Sequence, residues 1–554
     1  PEVFLNGGGD QVWEEEEDKE DKNLIFCRAC SIAVQELLNL VNDGISFDVL
    51  FNVSITVCLN LNISNLVVCE NMLEILKPQI SWILTNADLT GKDMCATLFT
   101  AENCQSDNPD RVWDVEMPDV PKPVLVVPDI PTDGPTIKVL HLADTHYDPE
   151  YLPGGNANCP ELVFCCRAES GEVLHPNDAA GYWGDYRFCD SPRWTLESIY
   201  THIQEQHPDI SFIIWTGDLM PHNVWNTSRE GNLKIIRDSV ALVQEYFPGI
   251  PVFPAIGNHE AHPVNGYPQP YIDNEFDISW LYDEIADIWQ TWLPANVAER
   301  IMYSASYVTE VFQNLRIISL NTNYCYSSNW WLLYDSNDPG EELYWLAQEL
   351  QRAEDDGVFV YIISHIPTGD PNCQYSWSHQ HNKIIARYEG VIAGLFYGHT
   401  HKDHFQVFFD PDQPDRTIEV AYIAESQTPY KKLNPGYKVY TVDAGRPEAT
   451  YTVLDHENWY FDLDQANFEG SPTFQLLYTA KEEYGMSDLS VQSHLDLIYR
   501  MAANSTLFDL FYKNYVKAAR PSLEGGCNSV CKDELLCKLI TADRSDLSHC
   551  DTLP

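Results

Sequence analysis

The tetrapeptide Gly257-Asn258-His259-Glu260 closes an apolar run, and four further short motifs carry metal-ligating side chains in the same way. In chain order they are Asp144-Thr145-His146, Gly217-Asp218, Ser364-His365-Ile366-Pro367 and Gly398-His399-Thr400-His401, and the tetrapeptide stands third among the five. Together the motifs supply two Asp, one Asn and up to five His side chains. Such a set can bind two divalent metals bridged by a shared carboxylate, which favours hydrolysis of phosphate esters.

The motifs follow apolar, β-rich runs, and helical patterns separate several of these runs. Strands are predicted over residues 137–143, 210–215, 252–256, 315–320, 358–363 and 391–397. Helices are predicted over residues 194–206, 233–246 and 341–353. Alternating strands and helices predict an α/β core that carries its ligands on loops after strand ends. Residues 418–423 and 437–442 predict added strands of a second sheet.

Length and charge limit the classes of function. The chain has 554 residues, which is too long for a single hydrophobic core and predicts several domains. Its formal net charge of −50 disfavours nucleic acid and other polyanions as partners. The sequence pI of about 4.4 fits either an acidic compartment, where carboxylates are partly protonated, or an adaptation for solubility. No apolar run reaches the ~18 residues of a membrane-spanning helix, so no transmembrane segment is predicted.

Cysteines and sequons indicate the compartment. Sixteen cysteines in clustered spacings are typical of an oxidising environment. Four Asn-x-Ser/Thr sequons predict glycosylation at Asn52, Asn62, Asn226 and Asn504. We therefore expect a glycoprotein of the secretory pathway, located in lysosomes, outside the cell or in both places.

The N-terminal region divides into a leader and a cysteine-rich segment. Residues 1–22 predict a disordered acidic leader, because they contain a glycine triplet and the run EEEEDKEDK without an apolar face. Residues 23–107 hold six cysteines, which apolar residues at helical spacing separate. The spacing of the six cysteines alone leaves many disulfide connectivities open.

The number, order and spacing of these six cysteines resemble a saposin-type domain. The resemblance implies an all-α domain with the disulfides Cys27–Cys104, Cys30–Cys95 and Cys58–Cys69, and it implies peripheral contact with lipid. A helical cap that is held together by disulfides and has no lipid affinity is the alternative.

The rest of the chain divides into three parts. Residues 108–136 are proline-rich and are expected to form an extended, semi-rigid linker between two domains. The catalytic domain is predicted over residues 137–455. Beyond residue 456 the pattern turns mostly helical, and four cysteines predict a cross-linked helical domain over residues 456–554.

The five motifs, in this order, resemble the calcineurin-like metallophosphatase superfamily. The resemblance implies an α+β sandwich core in which helices flank two sheets. It assigns one metal to Asp144, His146, Asp218 and His401, and the other to Asp218, Asn258, His365 and His399, so that Asp218 is the bridge. The mixed ligands suit zinc best, although manganese or iron could also bind. Water between two such ions has a strongly lowered pKa and can attack as hydroxide.

Two further histidines are candidates for the proton donor. His259 follows the ligand Asn258, and in this superfamily the residue at its position faces the substrate. His222 lies four residues after Asp218. An alkoxide is a poor leaving group, so a nearby imidazolium is needed to protonate it. For His222 the alternative is packing against Trp225.

Residues 180–190, which read AGYWGDYRFCD, closely resemble acid sphingomyelinases. So do Trp215-Thr216-Gly217-Asp218, Asn434-Pro435-Gly436-Tyr437 and the C-terminal cysteine quartet. The order of saposin-type domain, linker, metallophosphatase domain and helical C-terminal domain fits the same family. By this resemblance the remaining disulfides are Cys159–Cys165, Cys166–Cys189, Cys325–Cys373, Cys527–Cys531 and Cys537–Cys550, which leaves no free thiol.

This family resemblance implies a phosphodiesterase that cleaves sphingomyelin to ceramide and phosphocholine with a metal-bound hydroxide and a His general acid. Its expected partner is a sphingolipid in a membrane or lipoprotein surface, and the protein is expected to be a monomer. The alternatives are cleavage of ceramide phosphoethanolamine, a nucleotide or other phosphodiesterase on the same scaffold, and a lipid-binding protein with an inactive enzyme domain. The saposin-type domain argues for a lipid, and the complete ligand set argues against an inactive copy.

Overall fold

The computed structural model describes residues 17–61, 63–99, 104, 106, 108–125, 130–131, 133–160 and 162–553. Within them, the N-terminal part contains the helices α1 Glu17–Asn42, α2 Phe47–Asn60, α3 Leu66–Asn86 and α4 Gly91–Phe99. Ser46 and Asn65 accept hydrogen bonds from amides of the following turn, which sets the starts of α2 and α3. This part is cross-linked by the disulfides Cys27–Cys104, Cys30–Cys95 and Cys58–Cys69.

The acidic leader predicted over residues 1–22 divides at residue 16. Residues 1–16 lie outside the described part of the chain. Residues 17–22 were expected to be disordered, but they form the first turns of α1. Glu and Lys have high helix propensity, so a charged run can extend a helix that the apolar residues after it stabilise.

Twelve strands within the described residues form two six-stranded sheets. Their bounds are β1 Thr136–Leu142, β2 Ile210–Trp215, β3 Val252–Pro254, β4 Tyr307–Phe312, β5 Leu315–Ser319, β6 Phe359–Ile363, β7 Ile392–Tyr397, β8 His404–Asp410, β9 Gln413–Ile423, β10 Gly436–Asp443, β11 Val453–Phe461 and β12 Phe474–Thr479. The first sheet has the order β12-β11-β10-β1-β2-β3, and the second has the order β4-β5-β6-β7-β9-β8.

The strands that precede the five motifs run parallel to one another within each sheet. β1, β2 and β3 run parallel in the first sheet, and β5, β6 and β7 do so in the second. Side chains of both sheets share one core, in which the rings of Phe212 and Tyr361 lie 6.4 Å apart between centroids. The helices between these strands are α5 Arg193–Gln206, α6 Arg229–Tyr246, α7 Ser279–Ile288, α8 Ala298–Ser304, α9 Glu342–Asp356 and α10 Tyr375–Tyr388.

The C-terminal part is helical. Its helices are α11 Leu463–Glu469, α12 Ala480–Tyr484, α13 Val491–Ala503, α14 Ser505–Tyr515, α15 Arg520–Gly525 and α16 Ser529–Ile540. Apolar residues such as Leu497 and Phe508 join the main core, so these helices pack directly on the catalytic part. Across the described residues, no helix is both long and apolar enough to cross a membrane.

The predicted fold class is confirmed, because two sheets with flanking helices follow an N-terminal helical part. Four strands, β4, β8, β11 and β12, were not predicted. Residues 437–442 were assigned to the second sheet, but β10 lies in the first sheet and pairs antiparallel with β1. The boundary placed at residue 456 falls inside β11, which pairs with β10. These strands depend on partners distant in sequence, which local patterns do not reveal.

The proline-rich linker is packed on the catalytic part instead of standing free as a spacer. The Val115 amide donates to Gln380 Oε1 at 3.1 Å, and Lys383 donates to Asp114 at 2.7 Å. Arg387 donates to the carbonyl of Val120 at 3.0 Å. Extended proline-rich backbone leaves carbonyls unpaired within the segment, and polar side chains of α10 bind them here.

Candidate active site

The five motifs converge at one edge of the sandwich. Three of them follow β1, β2 and β3 of the first sheet, and two follow β6 and β7 of the second. Because the carboxyl ends of parallel strands open toward the same side, loops from both sheets meet there. Asp144, His146, Asp218, Asn258 and His365 are all buried, with at most 2% of each residue exposed.

Asp144, His146, Asp218 and His401 form a first group of potential metal ligands. The Nε2 atoms of His146 and His401 lie 3.1 Å apart. His146 Nε2 lies 3.6 Å from Asp218 Oδ2, and His401 Nε2 lies 3.5 Å from Asp144 Oδ1. The structure thus brings together all four side chains that the superfamily resemblance assigns to one metal.

Asp218, Asn258, His365 and His399 form a second group. His365 Nε2 lies 3.1 Å from Asp218 Oδ2 and 3.0 Å from Asn258 Oδ1. His399 Nδ1 lies 3.1 Å from the same Asn258 oxygen. Within the described residues, Asp218 is the one side chain that belongs to both groups.

Hydrogen bonds on the far side of three ligands orient their metal-binding atoms toward the site. His146 Nδ1 contacts the carbonyl of Met220 and His365 Nδ1 contacts the carbonyl of Thr216, each at 2.6 Å. A carbonyl oxygen only accepts, so both Nδ1 atoms donate and both Nε2 atoms face the cluster. Asn258 is oriented similarly, because its Nδ2 donates to Asn265 Oδ1 at 2.9 Å.

This arrangement fits a divalent metal pair. Acceptor atoms of imidazole, amide and carboxylate groups face one another at hydrogen-bond distances, which is unfavourable unless a cation lies among them. Burial alone would lower the pKa of His365, but the Asp218 carboxylate raises it to about 9, so a proton can supply this charge until a metal ion displaces it. The donor set of nitrogen and oxygen atoms is compatible with zinc and with other first-row divalent metals.

Backbone conformation is strained at the ligands. Five non-glycine ligands have positive φ: Asp144 (48°), His146 (39°), Asp218 (58°), His399 (71°) and His401 (63°). Such conformations cost free energy and cluster at functional sites. Gly257 permits the closest approach, because a Cβ there would lie 2.2 Å from Asp218 Oδ1. Gly217 has φ +86°, and a Cβ there would lie 2.4 Å from the Gly257 amide nitrogen.

The charge states follow from burial and neighbouring groups. Burial lowers the pKa of His146 and of His401 well below the ordinary value, and neighbouring imidazoles lower both further. Burial alone would raise the pKa of Asp218, but the His365 imidazole beside it holds that pKa well below the usual range. Asp218 is therefore ionised, while His146 and His401 are neutral, which is the form of imidazole that binds metal.

His222 lies beside the first group and is paired with a carboxylate. Its Nδ1 lies 2.9 Å from Asp190 Oδ2, and its backbone amide donates to the same oxygen at 2.7 Å. Its ring stacks on Tyr430 with centroids 3.7 Å apart and planes inclined by 11°. The ring of His146 lies 4.1 Å away. His222 therefore stacks on Tyr430, whereas the sequence suggested Trp225 as its alternative neighbour.

His259 lies beside the shared Asp218 and the first group, with its ring 4.9 Å from the ring of His146. Its backbone amide donates to Asp218 Oδ1 at 2.9 Å, and its Nε2 lies 4.0 Å from Asp218 Oδ2. Its buried Nδ1 has no hydrogen-bond partner among the described residues. Compared with His222, His259 thus lacks a carboxylate that would orient the ring.

Three supporting residues have contacts that the sequence motifs did not predict. Asp190 orients His222, Asn265 orients Asn258, and Glu260 Oε1 accepts the Leu219 amide at 2.7 Å. Asp190 and Glu260 do stand inside the quoted motifs. Their contacts involve residues distant in the chain, so the motifs alone did not reveal the roles.

All sixteen cysteines are paired in the structure, with no free thiol. The pairs outside the N-terminal part are Cys159–Cys165, Cys166–Cys189, Cys325–Cys373, Cys527–Cys531 and Cys537–Cys550. Cys166–Cys189 lies next to Asp190 in sequence and so anchors the segment that orients His222. Two extra cross-links therefore stabilise the loop before α5.

Three of the four sequon asparagines lie in the described part of the chain. Asn52, Asn226 and Asn504 are exposed, whereas Asn62 lies outside the described residues. Asn504 Oδ1 accepts the amides of Thr506 and Leu507 at the start of α14. Because a glycan would attach to Nδ2, this cap is compatible with modification, and glycosylation stays a prediction.

Comparison with known proteins agrees with the geometry. Residues 137–403 match the family model described as calcineurin-like phosphoesterase. Residues 416–552 match the model described as acid sphingomyelin phosphodiesterase C-terminal region. The predicted metallophosphatase resemblance is thereby confirmed.

Curated relatives cover most of the chain. Sphingomyelin phosphodiesterase of Bos taurus is 39% identical over 497 residues, which are 89% of this chain and 78% of the relative. Sphingomyelin phosphodiesterase 2 of Caenorhabditis elegans is 34% identical over 95% of this chain and 88% of its own length. The cyclic GMP-AMP phosphodiesterase SMPDL3A of Rattus norvegicus is 31% identical over 77% of this chain and 95% of its own length. From the two family models and this extent of identity, the chain belongs to the acid sphingomyelin phosphodiesterase family.

Proposed function

We propose that this chain hydrolyses sphingomyelin to ceramide and phosphocholine, using two divalent metal ions, zinc by preference. The observation that carries the proposal is a complete set of oriented ligands shared through Asp218, in a chain of this family. When bound, the metal pair polarises the phosphoryl oxygens and lowers the pKa of a water molecule. Asp144, His146, Asp218 and His401 would hold one ion, and Asp218, Asn258, His365 and His399 would hold the other.

His222 is the proposed proton donor to the ceramide oxygen. Asp190 binds Nδ1, which directs Nε2 toward the first ligand group, and the nitrogens of His146, His222 and His401 lie within 4.8 Å of one another. A buried carboxylate on Nδ1 orients an imidazole and stabilises its protonated form. His259 lacks such a partner, so its proposed role is to bind a phosphoryl oxygen.

The N-terminal helices are proposed to present the lipid. Val68, Met72 and Leu76 of α3 pack in one apolar cluster with Trp225 and Tyr430 of the catalytic part. Tyr430 is the ring on which His222 stacks. The helices are therefore seated directly beside the proposed proton donor, where a lipid delivered by them would reach the site.

One face of α2 has the character of a lipid-contact surface. Val49, Val53 and Val57 recur at every fourth position, and they are 53%, 56% and 47% exposed. Exposed valines at this spacing form an apolar stripe along one side of a helix. An apolar helix face that lies in the headgroup region binds membranes peripherally. We propose that this valine stripe contacts the membrane or lipoprotein surface that carries the substrate.

Replacing Val49, Val53 and Val57 together with serine should weaken binding to sphingomyelin vesicles roughly 10²-fold. Each valine would lose on the order of 1 kcal/mol of apolar burial at the interface. Turnover of a water-soluble chromogenic phosphodiester should not change. The matched control replaces the exposed Val124, Val173 and Val530, which lie elsewhere, with serine. Equal loss in both triple variants, or none in either, would exclude the stripe as the lipid-contact surface.

Substrate class is tested with the intact protein. Choline and ethanolamine sphingolipids in mixed micelles and a cyclic dinucleotide are offered at pH 5 and pH 7.4, each with and without a chelator. We expect cleavage of sphingomyelin, its loss with chelator and its return on adding Zn²⁺. Preference for the cyclic dinucleotide, in line with the name of the rat relative, would favour the nucleotide alternative. Activity that survives metal removal would contradict the proposed metal pair.

The disulfides bear on where in the cell the reaction takes place. Eight disulfides fit folding in the secretory pathway. We propose that the protein acts in lysosomes or outside the cell, as a monomer whose contact with lipid is peripheral.

A further inference from the structure

Residues 424–428, which follow β9, connect ligand motifs from both sheets. The Ser426 amide donates to the carbonyl of His401 at 3.2 Å. The amides of Gln427 and Thr428 donate to the carbonyls of Ala143 and Asp144, at 3.1 and 3.3 Å. The 424–428 segment therefore joins the backbones of His401 and Asp144, which come from different sheets and belong to the same ligand group.

Side chains of the 424–428 segment extend this connection. Thr145 Oγ1 donates to Gln427 Oε1 at 2.9 Å, and Thr428 Oγ1 donates to Asp190 at 2.8 Å. Asp190 is the carboxylate that orients His222. A displacement of this segment would thus shift both the first ligand group and the proposed proton donor.

Lys517, from the C-terminal helices, anchors the segment. Its Nζ donates to the backbone oxygen of Ser426 at 2.7 Å and to its Oγ at 2.8 Å. The residue is 1% exposed. Asn434 Nδ2 donates to the Lys517 carbonyl at 3.0 Å, which fixes the backbone as well.

Placing the Lys517 side chain in the interior requires an unfavourable backbone conformation. After α14 ends, Lys517 and Ala518 both have left-handed φ values, 53° and 51°, which side chains other than glycine rarely adopt. Burying an ammonium group is also unfavourable unless nearby groups compensate it. Burial lowers the pKa of Lys517 to about 7, and the neighbouring groups Glu425, Asp144 and Asp403 only partly oppose that shift, so hydrogen bonds to Ser426 hold the amine in place.

We infer that Lys517 is a positioning residue: by holding Ser426 it fixes the 424–428 segment, and through it the spacing of Asp144 and His401. The C-terminal region thereby supports the first ligand group through Ser426, although it supplies no ligand itself. The inference rests on the proposed metal pair and predicts an uneven effect. Asp144 and His401 belong to the first group alone, so loss of Lys517 should weaken that group while the second keeps its ion.

The test compares Lys517→Met with Lys513→Met in the full chain. Lys513 is exposed on α14 and serves as the matched control. After dialysis against a weak chelator, the zinc content of each protein is measured by mass spectrometry. We expect about two ions in the parent and control proteins and about one in Lys517→Met. In chelator competition, affinity for the weaker ion should fall at least about tenfold, as for other residues that orient metal ligands.

Further measurements separate positioning from stability. Excess Zn²⁺ should restore much of the turnover of Lys517→Met, because added metal compensates a weakened site. Ser426→Ala, which loses one of the two acceptors and is a milder change, should shift the same affinity by a smaller factor. Lowered thermal stability with unchanged zinc affinity in both variants would overturn the inference. Zinc-free parent protein would instead contradict the proposed function itself.

Discussion

Asp218→Asn is expected to lower kcat on phosphodiesters on the order of 10³-fold or more. Asp218 is the one described side chain in both ligand groups, with Oδ2 at 3.6 Å from His146 Nε2 and 3.1 Å from His365 Nε2. Asparagine keeps the size of the side chain but removes the negative charge between two cations. A loss of about 4 kcal/mol of transition-state stabilisation corresponds to this rate factor.

The measurement pairs metal content with turnover for each variant. Asp218→Asn should lose ions from both groups, whereas Asn258→Ala, in the second group alone, should mainly affect one. Asp209→Asn changes an exposed aspartate that directly precedes β2, the strand that Asp218 follows; it is the control and should behave as the parent. If Asp218→Asn kept two ions and near-normal turnover, the shared-ligand assignment would be wrong.

His222→Ala should lower hydrolysis of sphingomyelin roughly 10²–10⁴-fold, the range for loss of a general acid. The ceramide oxygen leaves as an alkoxide and needs a proton. A nitrophenolate leaves without one, so a nitrophenyl phosphodiester should lose much less. This difference between substrates distinguishes a proton donor from a residue that merely supports the metal ligands.

Two comparisons make the assignment specific. Asp190→Asn should show a smaller loss with the same dependence on leaving group, because Asp190 acts through His222. His259→Ala should affect both substrates alike if that residue binds a phosphoryl oxygen, and the exposed His175→Ala is the control. A leaving-group effect in His259→Ala but not in His222→Ala would show that His259 is the proton donor and that His222 is not.

Much of the catalytic core could be predicted because its signals are local. Strands β1, β2, β5, β6 and β7 were predicted within two residues, since buried parallel strands are short continuous apolar runs. The ligands stand at the ends of these runs, and parallel strands direct their carboxyl ends to one edge. The order of the motifs along the chain was therefore sufficient to reveal the resemblance to the metallophosphatase superfamily, and that resemblance nominated all seven metal ligands.

Other features depended on partners far away in sequence. Strands β11 and β12 carry mixed polar and apolar residues, and they exist because β10 offers an edge on which β11 can pair. The composition of the linker predicts a free spacer. In the structure, side chains of α10 form hydrogen bonds with its backbone groups. In both cases the deciding interaction is a hydrogen bond to a residue that no local pattern identifies.

The sequence by itself determined the chemistry of the site, because local patterns identify the ligand types and their order along alternating strands and helices. The tertiary structure alone decided how that chemistry is supported. Asp190 meets His222 across 32 residues, and Lys517 meets Ser426 across 91 residues. Such contacts form only when separate strands, loops and helices pack together, and hydrogen-bond geometry depends on distances that spacing along a chain does not specify.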